Sequence, residues 1–220
     1  MSKQKIYQFL ENLSNNNSKE WMEANRSTYQ AAKEIWLTEV QVLLDRLSKH
    51  DPYFTKVSPK KCIFRINNNR RFQPDRPLYK DNFGFAPVQD MFQPSLYVHI
   101  SPQETFIGGG LHRPPSDNLK KMRQAIDYDG QRLKEIVTEK KFATYYGGLS
   151  HDPQALKTSP RGYDESHEHI DLLRRKNFTA IRPVTQEEFV ADSFVDLVEE
   201  GYLLLQPMNS YLADAINFEN

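Results

Sequence analysis

Residues 95–101, Ser-Leu-Tyr-Val-His-Ile-Ser, alternate between apolar and polar side chains with a period of two. That period belongs to a β-strand, whose successive side chains point to opposite faces. Leu96, Val98 and Ile100 therefore fall on one face, and Tyr97 and His99 on the other. Gln103-Glu104 supplies a turn into Thr105-Phe106-Ile107, so the segment predicts a hairpin. Any fold for this chain must accommodate a sheet with one apolar side at its centre.

Helical patterns lie on both sides of that sheet. Ile6, Phe9, Leu10 and Leu13 have helical spacing, and Asn15-Asn16-Asn17 breaks the run. Asn17 is placed to cap a second helix, with Glu20 reaching back, and that helix is expected to continue to about Ser48. Its apolar stripe is Trp21, Tyr29, Ala32, Trp36, Val40, Leu43, Leu44 and Leu47, and Asp51-Pro52 ends it. Lys61-Cys62-Ile63-Phe64-Arg65-Ile66, between Pro59 and Asn67-Asn68-Asn69, reads as a further strand. Ser116 is expected to cap a helix carrying Leu119, Met122, Arg123 and Ile126. Asp129-Gly130 breaks it, and Leu133, Ile136 and Val137 begin another. Lys176–Arg182 reads as a late strand. Thr185 with Glu188 forms a capping box, and the remainder is expected to be helical with a break near Pro207. The layout predicts an α+β fold, a central, mostly antiparallel sheet flanked by N-terminal and C-terminal helices. One domain is expected over 1–220, with helices in 1–50, the sheet in about 60–110 and helices plus a strand in 116–220.

Lysine plus arginine number 29, as do aspartate plus glutamate, so the formal charge is zero. No global field draws such a chain to nucleic acid or to a membrane surface. The only cysteine is Cys62, which rules out an internal disulfide and suits a reducing compartment. The first residues lack the apolar run of a signal peptide, and the longest apolar cluster, Tyr202–Leu205, is far too short to cross a bilayer. A cytoplasmic location with no membrane partner is the expectation.

The polar segments narrow the chemistry. Arg65, Arg70, Arg71, Arg76 and Lys80 crowd one stretch, with Phe72, Asp75 and Tyr79 among them. Guanidinium groups receive carboxylate or phosphate through paired hydrogen bonds, so the stretch suits an anion. The same residues also suit internal ion pairs, for example Arg71 with Asp75. Gly108-Gly109-Gly110 reads either as an anion-binding turn or as a bend leaving a strand, and lacks the Gly-Lys-Ser/Thr of a P-loop. A second polar segment runs from Leu156 to His169. Its His167-x-His169 pair would share a face only on a strand, whereas Asp164 or Ser166 reads as a helix cap, so no metal site is expected. Cys62 reads as a buried, inert thiol.

Taken in order, several of these pieces form a familiar pattern. Phe9-Leu-x-x-Leu13 with Asn15-Asn16 and Trp21 comes first, then Arg65-Ile66, Arg71-Phe72, Asp75 and Tyr79-Lys80. Tyr97-x-His99-Ile-Ser-Pro102, Gly108-Gly-Gly110, Pro114 and the Arg123 helix follow. Leu156-Lys157, Pro160-Arg161-Gly162-Tyr163-Asp164 and His167 close the set. The chain resembles, over nearly its whole length, the bacterial and fungal family catalogued as domain of unknown function 2461. The resemblance implies a shared α+β fold and transfers no activity. It also shows departures: Asn68-Asn69 stands where relatives commonly have Arg-Asp, Arg76 where they have Lys, and Leu78 where they have Pro.

Three readings of function follow. The first is a cleft for an anionic small molecule, lined by Arg65, Arg71, Tyr79, Lys80, Arg123 and Arg161, with Asp75 or His99 as proton carriers. The second is a binding or scaffold protein whose charges are internal ion pairs. The third is nucleic-acid binding by the 60–80 loop, with Phe72 or Tyr79 stacking on bases. None of the three calls for a cofactor, and whether the protein is an enzyme is left open.

Overall fold

The computed structural model describes residues 2–88 and 92–218. Helix α1 spans Gln4–Asn15 and buries Ile6, Phe9, Leu10 and Leu13, as their spacing predicts. The single long helix expected next is two helices, α2 (Lys19–Ala24) and α3 (Arg26–Leu47), separated at Asn25 (φ −108°, ψ 19°). Ser18, not Asn17, caps α2: its Oγ accepts from Trp21 N at 3.1 Å. Asn17 is occupied elsewhere, since its amide donates to Tyr79 O and accepts from Tyr79 N, both at 2.9 Å.

Asp51 caps a 3-10 turn over Pro52–Lys56. The strand expected at Lys61–Ile66 does not form. Pro59 sits at the first position of a short helix, α4 (Pro59–Cys62), where its fixed φ favours helix initiation. Only isolated bridges, Ile63 to Phe85 and Asn67 to Tyr79, remain strand-like.

Strands β1 (Phe83–Phe85), β2 (Ser95–Ile100), β3 (Phe106–Leu111) and β4 (Phe178–Pro183) form one antiparallel sheet in the order β1-β2-β3-β4. The fold is thus α+β. In β2 the burial alternates as the sequence dictates, with Leu96, Val98 and Ile100 buried and Tyr97 and His99 half-buried. Its register with β1 sets Gly84 opposite His99.

The glycine run lies inside β3. A Cβ on Gly108 would fall 2.7 Å from Ala180 O, and one on Gly109 would fall 2.5 Å from Ser95 O. Gly110, at φ +107°, would drive a Cβ into Phe178 O. These residues admit neighbouring backbones and present no anion-binding turn.

Helices α5 (Ser116–Thr138), α6 (Lys140–Tyr146), α7 (Ile170–Leu173), α8 (Gln186–Val190) and α9 (Phe194–Asn217) complete the fold. Ser116 is the first helical residue, not the cap, and Pro115 precedes it. The break at Asp129 (φ −147°, ψ 53°) is where Asp-Gly placed it. The capping box at α8 is complete: Thr185 Oγ1 accepts from Glu188 N, and Glu188 Oε2 accepts from Thr185 N. Pro207 does not end α9. Buried Leu205, Met208 and Leu212 on either side hold the helix together, each worth about 1.5–3 kcal/mol, comparable to what an internal proline costs.

The chain divides into two compact units. The first comprises Met1–Pro87, Tyr97–Ile107 and Pro183–Glu200; the second comprises Val88–Leu96, Gly108–Arg182 and Gly201–Asn220. The first is centred on Phe9, Leu10, Trp36, Leu44, Phe85, Phe189 and Phe194, with Tyr7 Oη bonded to Thr105 Oγ1 at 2.7 Å. The second is centred on Met122, Ile126, Leu133, Phe142, Phe178, Leu205 and Leu212. Among the described residues, no helix is long and apolar enough to cross a membrane.

Candidate functional site

In the first unit, segments 65–68 and 78–80 pair as the two arms of a loop. Lys80 N donates to Ile66 O at 2.7 Å, and Asn68 N to Leu78 O at 3.0 Å. The clamp from Asn17 fixes the Tyr79 backbone between them. Asn68 Nδ2 donates to Pro77 O at 3.0 Å, and Asn69 Oδ1 accepts from Arg71 N at 3.2 Å. Asn68 and Asn69 thus serve this loop as hydrogen-bonding groups.

The loop tip is exposed. Arg70, Arg71, Asp75 and Arg76 lie there, with Phe72 82 % exposed and the Arg71 guanidinium 5.3 Å from its ring. Arg70 Nη2 donates to Pro74 O. Among the described residues, no ion pair within 4.0 Å involves Arg65, Arg70, Arg71, Asp75, Arg76 or Lys80. Arg71 and Asp75 are not joined.

The loop base differs in character. Half-buried Lys80 donates from Nζ to Arg65 O at 2.7 Å and stands 5.9 Å from the centre of the Phe64 ring. Desolvation, and then the charge of Arg65, hold the Lys80 ammonium below its ordinary value. Phe64 meets Tyr97 edge-on at 6.0 Å, and Tyr97 Oη lies 3.1 Å from His99 Nδ1. The Asn82 amide nitrogen also turns to His99 Nδ1, at 3.5 Å. An amide nitrogen only donates, so Nδ1 is the acceptor and the ring proton belongs on Nε2. The imidazole lies parallel to Phe106 at 4.9 Å.

Burial lowers the pKa of His99 against the opposing pull of Glu104 and Asp81, which favours the neutral ring. Burial likewise pushes the Tyr97 phenol up to about 12. The result is a continuous arrangement of two cations, aromatic rings and a histidine. Sequence reasoning named His99, Lys80 and Arg65 but passed over Tyr97, Phe64 and Asn82. The alternation that set Tyr97 on the face of His99 was the available signal; the contact of Phe64 across β1 had none.

In the second unit, α5 presents Arg123, Asp127 and Gly130 along one face. Arg123 Nε donates to Leu173 O at 3.0 Å, and burial lowers its guanidinium pKa. Asp127 Oδ1 accepts from His167 Nε2 at 3.0 Å, while His167 Nδ1 accepts from His169 N at 3.0 Å. A Cβ on Gly130 would fall 2.5 Å from the His169 ring. Arg161 is exposed on the neighbouring loop. Asp164 does not begin a helix. Its Oδ1 accepts from Ser166 N and Oγ in a turn, and His169 is the residue preceding α7. Of the six expected ligand-binding residues, Arg65, Arg71, Tyr79 and Lys80 belong to the first unit, and Arg123 and Arg161 to the second. Among the described residues, no group of three or more His, Cys, Asp or Glu side chains is placed to hold a metal ion.

Two other features of the second unit lay outside the sequence reading. A cleft of about 620 Å³ runs between α5 and the end of α9, lined by Lys121, Tyr128, Arg132, Tyr211, Asp214 and Phe218. Asp152, only 6 % exposed, accepts from Gln154 N, Lys176 N, Asn177 N and Asn177 Nδ2 at 2.7–3.0 Å. Burial raises its pKa, but these four bonds outweigh burial and hold the carboxyl at about 2. Cys62 is buried in the first unit, its thiol pushed up to about 11 by burial, which removes it as a nucleophile.

Neither a curated protein nor a solved structure matches the chain. The family described as "Conserved hypothetical protein (DUF2461)" matches residues 5–211. That span takes in both units, the 65–80 loop and the β2 face, and the chain belongs to this family, a domain of unknown function.

Proposed function

We propose that the protein binds a phosphate- or carboxylate-bearing small molecule at the base of the 65–80 loop. Arg65 and Lys80 form the centre of the site, with Tyr79 and Arg71 flanking it. The observation that carries this reading is the juxtaposition of Lys80 and Arg65, with no carboxylate among the described residues paired to either. Two like charges near each other, one of them half-desolvated, raise the free energy of the unliganded protein. An anion placed between them relieves both terms. The absence of ion pairs around the loop among the described residues weighs against a scaffold whose charges neutralise one another internally. The single cysteine, buried and reduced, fits a cytoplasmic setting.

A thermal-shift titration with inorganic phosphate and simple carboxylates tests the proposal. The expected result is a rise in Tm that Arg65→Ala or Lys80→Met abolishes without loss of fold. A flat response to every anion, from protein that is folded, would end it. Exposed Phe72 beneath Arg71 supports a second reading, stacking on single-stranded nucleic acid. In that case affinity must fall steeply with added salt.

A further inference from the structure

We propose that the anion bound by Arg65 and Lys80 carries a flat ring, and that this ring lies on the aromatic shelf formed by Phe64 and Tyr97. The inference rests on the anion-binding reading above and specifies its ligand. Phe64, Tyr97, His99 and Phe106 are all half-buried, on the side of β2 away from Leu96, Val98 and Ile100. They are therefore not part of the hydrophobic core.

Their mutual geometry is ordered. Phe64 meets Tyr97 at 72°, Tyr97 lies 5.7 Å from Phe106, and His99 is within 4° of parallel to Phe106. Gly84, opposite His99, permits the arrangement, since a Cβ there would fall 2.9 Å from Phe64 Cδ2 and 3.0 Å from Tyr97 Oη. Lys80 stands over the same Phe64 ring, so the cationic centre and the aromatic shelf share a side chain. Aromatic faces bind flat π-systems with little regard to the identity of the ring, while the adjacent cations select for negative charge. A small ligand fits better than a nucleic-acid strand, because the formal charge of the chain is zero and no global field draws it to a polyanion.

Calorimetric titration with phenyl phosphate and methyl phosphate tests the inference, because the two carry the same charged group and differ in the ring. Phenyl phosphate is expected to bind about tenfold tighter, a difference of about 1.4 kcal/mol. Phe64→Ala should reduce that ratio to near one, and Phe64→Tyr, which keeps a ring, should preserve it. Equal affinity for the two phosphates would overturn the ring and leave the anion site standing. Binding of neither would remove both. A single-stranded oligonucleotide that binds a hundredfold tighter than its mononucleotide, with a steep salt dependence, would replace the small molecule by a strand.

Discussion

Asp152 and the Arg65–Lys80 pair are both charged features set close to a sheet, and the protein treats them in opposite ways. Around Asp152 four donors converge, and nearby Arg175 gives Nε to Asn177 O at 3.0 Å and Nη2 to Ser150 O. Arg113, at φ +48°, spends its backbone N–H on Asn177 Oδ1. The Asp152 carboxylate is thus answered entirely from within the chain. At the loop base Lys80 reaches a backbone carbonyl and the Phe64 ring, and among the described residues no carboxylate within 4.0 Å pairs with Lys80 or Arg65. A charge answered from within holds the fold together. A charge left over is available to something from outside, and the two kinds should respond differently to the same perturbation.

The sharpest break in the comparison is deletion of each charge. Asp152→Ala strands three backbone N–H groups, those of Gln154, Lys176 and Asn177, together with the Asn177 side-chain amide, and should cost about 3 kcal/mol in urea denaturation. A loss under 1 kcal/mol would show that the network is decoration. Acid titration gives the next largest effect. The folded carboxyl sits at about 2 against an ordinary 3.8, so the unfolded chain binds the proton more readily. The resulting stabilisation, about 2 kcal/mol, is complete above pH 4 and disappears as the pH falls towards 2. Asp152→Asn should remove that slope, seen as converging wild-type and variant stabilities at low pH.

The smallest effect on stability belongs to Lys80→Met, which deletes a half-desolvated like charge and keeps the stem. Stability should stay within about 0.5 kcal/mol of wild type, while phosphate affinity falls at least tenfold. A large destabilisation instead would class Lys80 with Asp152 as a structural charge.

How much of this was legible in the sequence depended on the range of the interaction that decided it. The β2 alternation, the α1 spacing, the Asp129 break and the Thr185–Glu188 box are set by neighbours a few residues apart, and each is present where its residues placed it. The 61–66 strand failed because a proline at residue 59 started a helical turn that outcompeted it. Asn17 failed as a cap because Tyr79, far along the chain, holds it. Pro207 failed as a stop because buried neighbours carry the helix across. In the site, the cationic residues were visible as a cluster. The contact of Lys80 with Phe64 and the tautomer of His99 depend on side chains brought together by folding. The Asp152 network joins residues 25 apart and left no local trace.

The glycine run in β3 determines what the second unit uses as a surface. With no side chains at 108–110, Leu205 and Met208 of α9 rest against Gly109 and Gly110, on the peptide planes themselves. The wall of the core is here made of amide groups, whose thickness is fixed by covalent bonds and cannot be tuned by residue choice. At this place the spacing between helix and sheet is set by the side chains of α9 alone.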